Sequence, residues 1–445
     1  MKIGILGAGL AGISLAERLQ DHSDAAQIDL LEKAPATGGL ARSFPFGNVH
    51  YDCGPHIIFS KDTEVLRLMV EVLGENVHKL RRSNRVFHDG RFVKYPFENE
   101  LSALSQQDKN YALSAFLDNP YADYAPRNML QFFLATFGEG ITNLYLRPYN
   151  EKIWKFDPAF MDTQMVERIP RPPAEDIIRS AEGTETEGYV HQLFFYYPKT
   201  GGVQSLVDAF QNRLGPKVAI HTNTAVEKVE REAGQWKVSA ADGTQRRFDR
   251  LVSTIPIPDL IESLGTAVPE TVIGAADGLR FNSIAICMAK VRHDNLGDTL
   301  ALMVADKRIV FHRLTKINYL YPPESEDGTV TLQMEVTYRK GDLIDQLTDK
   351  QITAEVIKGL VQLRFIDGDE DVLAAELRRF QYAYVIYDLR HQSNIQTVRT
   401  YCEDELGIVL HGRFGEFEYL NMDAVIRRSI DRAREIGAQE MGTSP

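Results

Sequence analysis

Cysteine is scarce in this chain: Cys53, Cys287 and Cys402 are three residues in 445. They are widely spaced, odd in number and without metal-ligand spacing, which argues against a disulfide scaffold and a cysteine metal centre. Each reads as a small buried hydrophobe of a reducing compartment. Long apolar runs are also missing, none approaching the ~20 residues of a membrane span. No basic-then-apolar leader precedes the first apolar run, so no signal peptide is expected and a cytoplasmic location is. Positive charge is in deficit. A formal net charge of −12 argues against a general nucleic-acid or anionic-membrane surface, although a local arginine cluster can still hold a small anion. There is no Ser-His-Asp arrangement and no Cys/His cluster, so no metal and no protein-borne nucleophile are expected.

What is present begins at the N-terminus. A short apolar run reaches Gly7, and the pattern Gly7-x-Gly9-x-x-Gly12 opens a helix running to about Leu19. The first glycine permits the tight turn, the second lets backbone amides approach a pyrophosphate, and the third lets helix pack on strand. Free N–H groups at the helix start make the anion site. A second apolar run, Ile28 to Leu31, ends at Glu32, 20 positions beyond Gly12 and suited to a ribose 2′-OH. This is a dinucleotide site. Directly after it, Lys33-Ala-Pro-Ala-Thr-Gly38-Gly39-Leu40-Ala-Arg42 adds a second glycine pair and an arginine. That suits a long, permanently held cofactor better than an exchanging nicotinamide.

At 445 residues, 44% hydrophobic and 25% charged, the chain reads as a globular protein of two or three domains. Apolar spacing predicts a helix over Asp62 to Leu73. Alternation about Asp89-Gly90 predicts a hairpin from Asn84 to Tyr95. The stretch from Leu101 to about Ser180 reads as helical, with proline breaks. An amphipathic helix follows Gly201-Gly202, from Val203 to Leu214. Strands are expected at Val218 to His221, Ala225 to Arg231, Trp236 to Ala240 and Leu251 to Pro256. From Gly278 to Arg379 a mostly antiparallel sheet is expected, with one helix at Gln351 to Arg364. The chain then returns through Gly412-Arg413 to a helix from Met422 to about Ile436, with a disordered tail after Ala438.

The Gly38-Gly39 segment resembles the FAD-binding start of the flavin amine oxidase and sugar-nucleotide mutase superfamily. Four further segments resemble the UDP-galactopyranose mutases within it. Tyr51-Asp-Cys-Gly54-Pro55-His56-Ile-Ile-Phe59-Ser60 is similar to that family's flavin-facing loop, and Tyr95-Pro96-Phe97-Glu98-Asn99 to a strand end that packs on uracil. Leu146-Arg-Pro-Tyr149-Asn150-Glu151-Lys152-Ile-Trp154 is similar to a helical segment at the nucleotide. Gly412-Arg413-Phe-Gly-Glu-Phe-Glu-Tyr419-Leu-Asn421-Met422-Asp423 resembles the C-terminal fingerprint. Three residues depart from the pattern: Glu98 replaces a Gln of eukaryotic relatives, Asn421 an Asp common in bacterial ones, and Val385 a Pro.

The resemblance implies an α/β fold: a Rossmann-type FAD-binding domain, an inserted helical domain and a mostly antiparallel substrate sheet. The expected divisions are 1–80, 196–270 and 386–445 for FAD, 81–100 for the substrate hairpin, 101–195 for the helical insert and 271–385 for the substrate sheet. It implies FAD held by Gly7, Gly9, Gly12, Glu32, Lys33, Gly38, Gly39, Leu40, Arg42, His56, Val226, Gly412, Arg413, Asn421 and Met422. It implies a UDP-linked sugar held by Tyr95, Phe97, Asn150, Trp154, Arg168, Arg313, Tyr319, Tyr384 and Tyr419. A diphosphate leaving group asks for two arginines from opposite sides; by resemblance they are Arg313 and Arg168, with Arg171 the alternate. His56 would position the flavin. The implied reaction interconverts pyranose and furanose forms, N5 of reduced FAD attacking the anomeric carbon, in polysaccharide biosynthesis. NADPH is compatible as reductant, and a homo-oligomer is left open. The alternative is an FAD-dependent oxidoreductase of the amine oxidase or protoporphyrinogen oxidase type. A flavin-free binder like the Rab GDP-dissociation inhibitors is opposed by the intact glycine elements, Glu32 and Arg413.

The protein is therefore expected to purify with non-covalent FAD and a flavin visible spectrum. Glu32→Ala should weaken FAD retention, read as flavin lost on dialysis; undiminished occupancy and affinity would count against the ribose assignment.

Overall fold

A computed structural model describes residues 1–22, 27–166, 169, 171–184, 186, 193–321 and 328–440. The tail expected to be disordered lies outside them beyond 440, and the C-terminal helix runs past the expected boundary, from Met422 to Glu440.

Apolar, β-branched Lys2–Leu6 is the middle strand of a five-stranded parallel sheet, ordered Ile408–Leu410, Arg250–Ser253, Lys2–Leu6, Gln27–Leu31, Val218–His221. Nearly every side chain of the inner strands is buried, as a parallel sheet covered on both faces requires. One cover is helical: Leu10–His22, Thr63–Leu73, Gln204–Gln211 and Met422–Glu440 enclose a core that includes Ile13, Leu15, Leu19, Met69, Val207, Phe210 and Ile430. A three-stranded antiparallel sheet (Val226–Glu232, Gln235–Ala240, Gln245–Phe248) lies against the central strand, where Phe248 fills the space a Gly4 side chain would need.

A second sheet has seven strands in the order Val372–Ile386, Arg280–Val291, Val330–Tyr338, Arg313–Lys316, Ala301–Val304, Asn84–His88, Arg91–Lys94. The expected hairpin is present, with positive φ at Asp89 and Gly90, as a type I′ turn demands. It joins the sheet through one parallel pairing, Asn84–His88 with Ala301–Val304. One face packs on helix Asp349–Gln362 through Ile352, Val356 and Leu360. The other meets Phe44, Tyr51, Phe195 and Tyr197 from the first part of the chain.

The third layer is helical. Helices Gln106–Leu117 and Met129–Ile141 approach so closely that a Cβ on Gly138 would stand 2.3 Å from the Ala115 carbonyl oxygen. A wide π-type turn, Thr142–Leu146, then leads into helix Arg147–Trp154. The mixed α/β fold class expected from the sequence is thus present. Among the described residues no helix is long and apolar enough to cross a membrane.

The tightest backbone contact in the first unit is at Gly12, where a Cβ would fall 2.2 Å from the Gly7 carbonyl oxygen. Gly12→Ala is expected to destabilise the fold by roughly 1–3 kcal/mol, the usual cost of overpacking. A lowered urea midpoint together with loss of bound flavin would show it; a parental midpoint would mean that helix and strand can move apart freely.

Candidate functional site

Three glycine loops converge at the carboxyl end of the parallel sheet, where open α/β sheets take their ligands. Gly7 has φ +98° at the turn into helix Leu10–His22, and Ile13 N donates to Gly9 O at 3.0 Å. Gly38 N donates to Ala8 O at 2.9 Å, and Gly39 lies so near that its Cβ would be 3.1 Å from Gly9 Cα. Gly412, φ +83°, comes from the far end of the chain, and a Cβ there would stand 2.5 Å from Ala11 Cβ. The result is bare backbone on three sides of a helix N-terminus, a cradle whose geometry suits an anionic group such as a pyrophosphate. The buried Glu32 carboxylate accepts from Ala8 N and Ala34 N, both at 2.9 Å, which ties the strand end to the loop.

Beyond the cradle lies a group of aromatic and cationic side chains. Trp154 Nε1 donates to Asn150 Oδ1 at 2.8 Å across one helical turn, and Asn150 Nδ2 donates to Leu146 O at 2.7 Å. The indole meets Tyr384 and Tyr419 edge-on at 5.7 and 6.0 Å, and those two rings stack at 5.9 Å. Arg413 lies over both, 4.3 Å from the Tyr419 centroid and 5.6 Å from that of Tyr384. Its Nε and Nη2 are buried with no hydrogen-bond partner. A guanidinium edge so placed costs several kcal/mol unless something anionic or strongly accepting meets it, so it fits a bound dinucleotide. His56 Nδ1 is likewise buried without a partner. Desolvation, then the Arg413 charge, pushes the His56 imidazole down to about 4, so it is neutral at pH 7.

Arg313 is half-buried and held from below. Its Nε and Nη2 donate to the two oxygens of Glu335 at 2.5 and 2.7 Å, a bidentate pair with a fully buried carboxylate. The strand register that sets Arg313 opposite Glu335 makes the pair. Gly54 must be glycine here: its φ is +82°, and a Cβ would lie 3.3 Å from Arg313 Nη2. Tyr384 OH reaches Glu335 Oε2 at 3.4 Å. Burial raises the Tyr384 and Tyr149 phenols, which stay protonated donors at neutral pH.

The structure brings together Gly7, Gly9, Gly12, Glu32, Gly38, Gly39 and Gly412 in the cradle, and Trp154, Arg313, Tyr384, Arg413 and Tyr419 beyond it. Leu40 and Arg42 follow the second glycine pair; Leu40 packs into the core and Arg42 covers Phe44 at 5.1 Å. Val226 is half-buried just after Thr224, whose amide bonds the Glu32 carbonyl at 2.8 Å. Asn421 is exposed, and Met422 opens the last helix against the core.

Other expected residues are spent differently. Lys33 is largely exposed, 3.6 Å from Asp259. Phe97 is 0% exposed and stacked on Tyr145 at 5.0 Å, a core residue rather than an open wall. Asn150 uses its amide to lock Trp154. Tyr319 OH donates to Arg81 O at 2.8 Å. Tyr95 is half-buried, its phenol raised first by desolvation and then by Glu98. Arg168 lies outside the described residues, and Arg171 is exposed, laid over Phe132 at 5.4 Å. Cys287 and Cys402 are buried as expected, whereas Cys53 is only partly so.

Sequence reading missed Glu335: it falls in step with Thr331, Gln333 and Thr337, an alternation that reads as a solvent face, yet every residue of the strand is buried. It also missed Arg82, which lies over Phe59 in the field of Tyr95 and Arg313 and which nothing in the sequence separates from Arg81. Elsewhere His293, Asp367 and Asp371 bring ligand atoms within 4.8 Å of one another, a grouping no spacing revealed; His293 Nε2 and Asp367 Oδ2 pair at 2.9 Å.

Comparison with known proteins gives one family model, flavin containing amine oxidoreductase, matching residues 10–403. Among solved structures, a reduced UDP-galactopyranose mutase superposes with a TM-score of 0.86 at 23% identity, covering 100% of this chain and 94% of that one. A structure provisionally assigned as a protoporphyrinogen oxidase, from Exiguobacterium sp. 255-15, gives a TM-score of 0.79 at 16% identity, covering 98% and 99%. At these identities the likeness establishes the fold. Among curated proteins, the chloroplastic/chromoplastic zeta-carotene desaturase of Zea mays is 40% identical over 78 residues, 17% of this chain and 13% of the desaturase.

Removing one partner of the Arg313–Glu335 pair leaves a charge with no counter-ion in the interior. Glu335→Ala is expected to cost roughly 3–5 kcal/mol, measured by chemical denaturation. The double variant Arg313→Met/Glu335→Leu should recover most of that. If Glu335→Ala unfolds at the parental midpoint, water already screens the pair.

Proposed function

Because the chain belongs to the flavin containing amine oxidoreductase family, we propose that it holds FAD and acts as a UDP-galactopyranose mutase-like isomerase on a nucleotide sugar, with a UDP-linked hexose the substrate. The observation that carries this reading is the grouping of Arg313, oriented by Glu335, with Trp154, Tyr384 and Tyr419 directly beyond the glycine cradle. A hydride-removing site has no need of that arrangement, whereas a departing diphosphate does.

The cradle glycines, Glu32 and Arg413 would hold the cofactor, and His56, neutral at pH 7, would help to position it. When bound and reduced, the flavin would supply a nucleophilic nitrogen. The chain's own part is position and charge. Arg313, oriented by Glu335, presents its remaining N–H groups to the diphosphate, and Arg168 is the proposed partner from the other side. The Tyr384 and Tyr419 hydroxyls donate to phosphate oxygens while their rings and Trp154 wall the sugar nucleotide. Burial raises Cys53 well above the thiolate range and lowers His56 and His312, so at neutral pH the thiol is not ionised and neither imidazole is a cationic acid. The work would fall in polysaccharide biosynthesis, with NADPH a compatible reductant.

The family itself and the stretch of desaturase identity favour a second reading, an FAD-dependent oxidoreductase. One experiment separates the two. Isomerisation of UDP-galactopyranose is expected to be silent in air and to start after dithionite reduction, with one reduction supporting many turnovers. Equal rates from oxidised enzyme would remove the flavin-nucleophile reading. Consumption of one equivalent of oxidant per turnover would establish the oxidoreductase instead.

A further inference from the structure

Helix Arg147–Trp154 carries the Asn150–Trp154 pair on one face; position 152, about half a turn round, looks the other way. On that reverse side Lys152 is 6% exposed, and its Nζ donates to two backbone carbonyls, Val304 O and Asp306 O, each at 2.8 Å. The acceptors are the last residue of strand Ala301–Val304 and a residue two positions beyond it, and that strand lies next to the one that carries Arg313. Two more ties join the same stretch to the sheet. The Lys152 carbonyl accepts from the buried Thr337 Oγ1 at 3.2 Å, and the Ile153 carbonyl from the buried Asn282 Nδ2 at 2.9 Å. The helix runs on without a break from the π-type turn Thr142–Leu146 and ends at Lys155, so these contacts from behind fasten its free C-terminal end, where Trp154 stands.

We infer that Lys152 is a positioning residue: its ammonium holds the Asn150–Trp154 wall at the distance from Arg313, Tyr384 and Tyr419 that a nucleotide sugar requires. The inference deepens the proposed function and rests on it for the identity of the ligand. It does not rest on it for the mechanical claim, which concerns Trp154 alone.

The surroundings make the tie sensitive to pH. Desolvation, then the neighbouring Lys155 ammonium, lowers Lys152 to about 7, with Asp306 opposing. His312, packed against Tyr149 and 3.8 Å from Glu335, is neutral, and the Asp306 carboxylate is taken by Arg308. The ammonium is present below about pH 7 and gives way to the amine as pH rises through that value. Hydrogen bonds from a charged donor are roughly twice as strong as those from a neutral one, so the anchor weakens in the same direction.

The test uses holoprotein with Trp236→Phe, leaving Trp154 as the single indole. In this parent, Trp154 emission is expected to titrate near pH 7 without any ligand, and in Lys152→Met to be pH-independent and red-shifted. With uridine diphosphate as probe, Lys152→Met should bind about tenfold more weakly at pH 6. That ratio should shrink toward one at pH 9; the ligand's own ionisation cancels in it. Lys152→Arg, charged throughout, should keep tight binding at both pH values. Parental emission that does not titrate, or a Lys152→Met affinity equal to the parent at pH 6, overturns the inference. If Lys152→Met does not fold, the parent's own titration and its absence in Lys152→Arg decide. Titrating emission with no uridine diphosphate binding overturns the nucleotide-sugar reading and leaves the positioning role standing.

Discussion

The distance between the first helix and the first strand is fixed by a backbone contact, Gly12 against the Gly7 carbonyl. It brings the helix N-terminus over the end of the parallel sheet, and two other loops close down upon it. Gly39 meets Gly9 backbone to backbone, and Gly412 meets Ala11. Wherever side chains are absent, N–H groups can turn toward a ligand, which is why the cradle collects glycines from opposite ends of the chain. The polar ties follow from the same convergence: Glu32 caps Ala8 and Ala34, and Glu416 receives the Gly412 amide at 2.9 Å.

Electrostatics then divide the site in two. Arg313 is neutralised from below by Glu335, so its value lies in orientation more than in net charge. Arg413 is the opposite case, a cation held against two tyrosine rings with part of its edge unpartnered. A protein of net charge −12 can therefore hold an anion where its own carboxylates are already engaged and one guanidinium edge is not.

Much of this was legible in the sequence because it is written in local rules. Gly7, Gly9 and Gly12, the acid at Glu32, the Asp89-Gly90 hairpin and the glycine return at Gly412 each act within a few residues of themselves. What escaped depended on pairing between distant strands. The hairpin at Asn84–His88 joins the sheet by a parallel contact with Ala301–Val304, and nothing in either segment names the other. Glu335 meets Arg313 only through register. Strand Gln245–Phe248 is not legible in the sequence, because Gln-Arg-Arg-Phe has too little apolar alternation. Asn150 and Trp154 share one helical face, as their spacing predicts, but the amide holds the indole, a choice that spacing alone does not reveal.

The parallel sheet has a bearing on how the chain comes into being. Its central strand starts at Lys2, yet its neighbour on one side is Arg250–Ser253, and the edge strand beyond that is Ile408–Leu410. During synthesis the first strand and helix must wait for more than half the polypeptide before that side is covered. The Gly412 return and the last helix emerge later still. Contacts of such sequence separation are slow to form and leave apolar edges exposed meanwhile. The N-terminal strand and helix thus keep an apolar edge uncovered for much of synthesis, and the glycine cradle is among the last features to take shape.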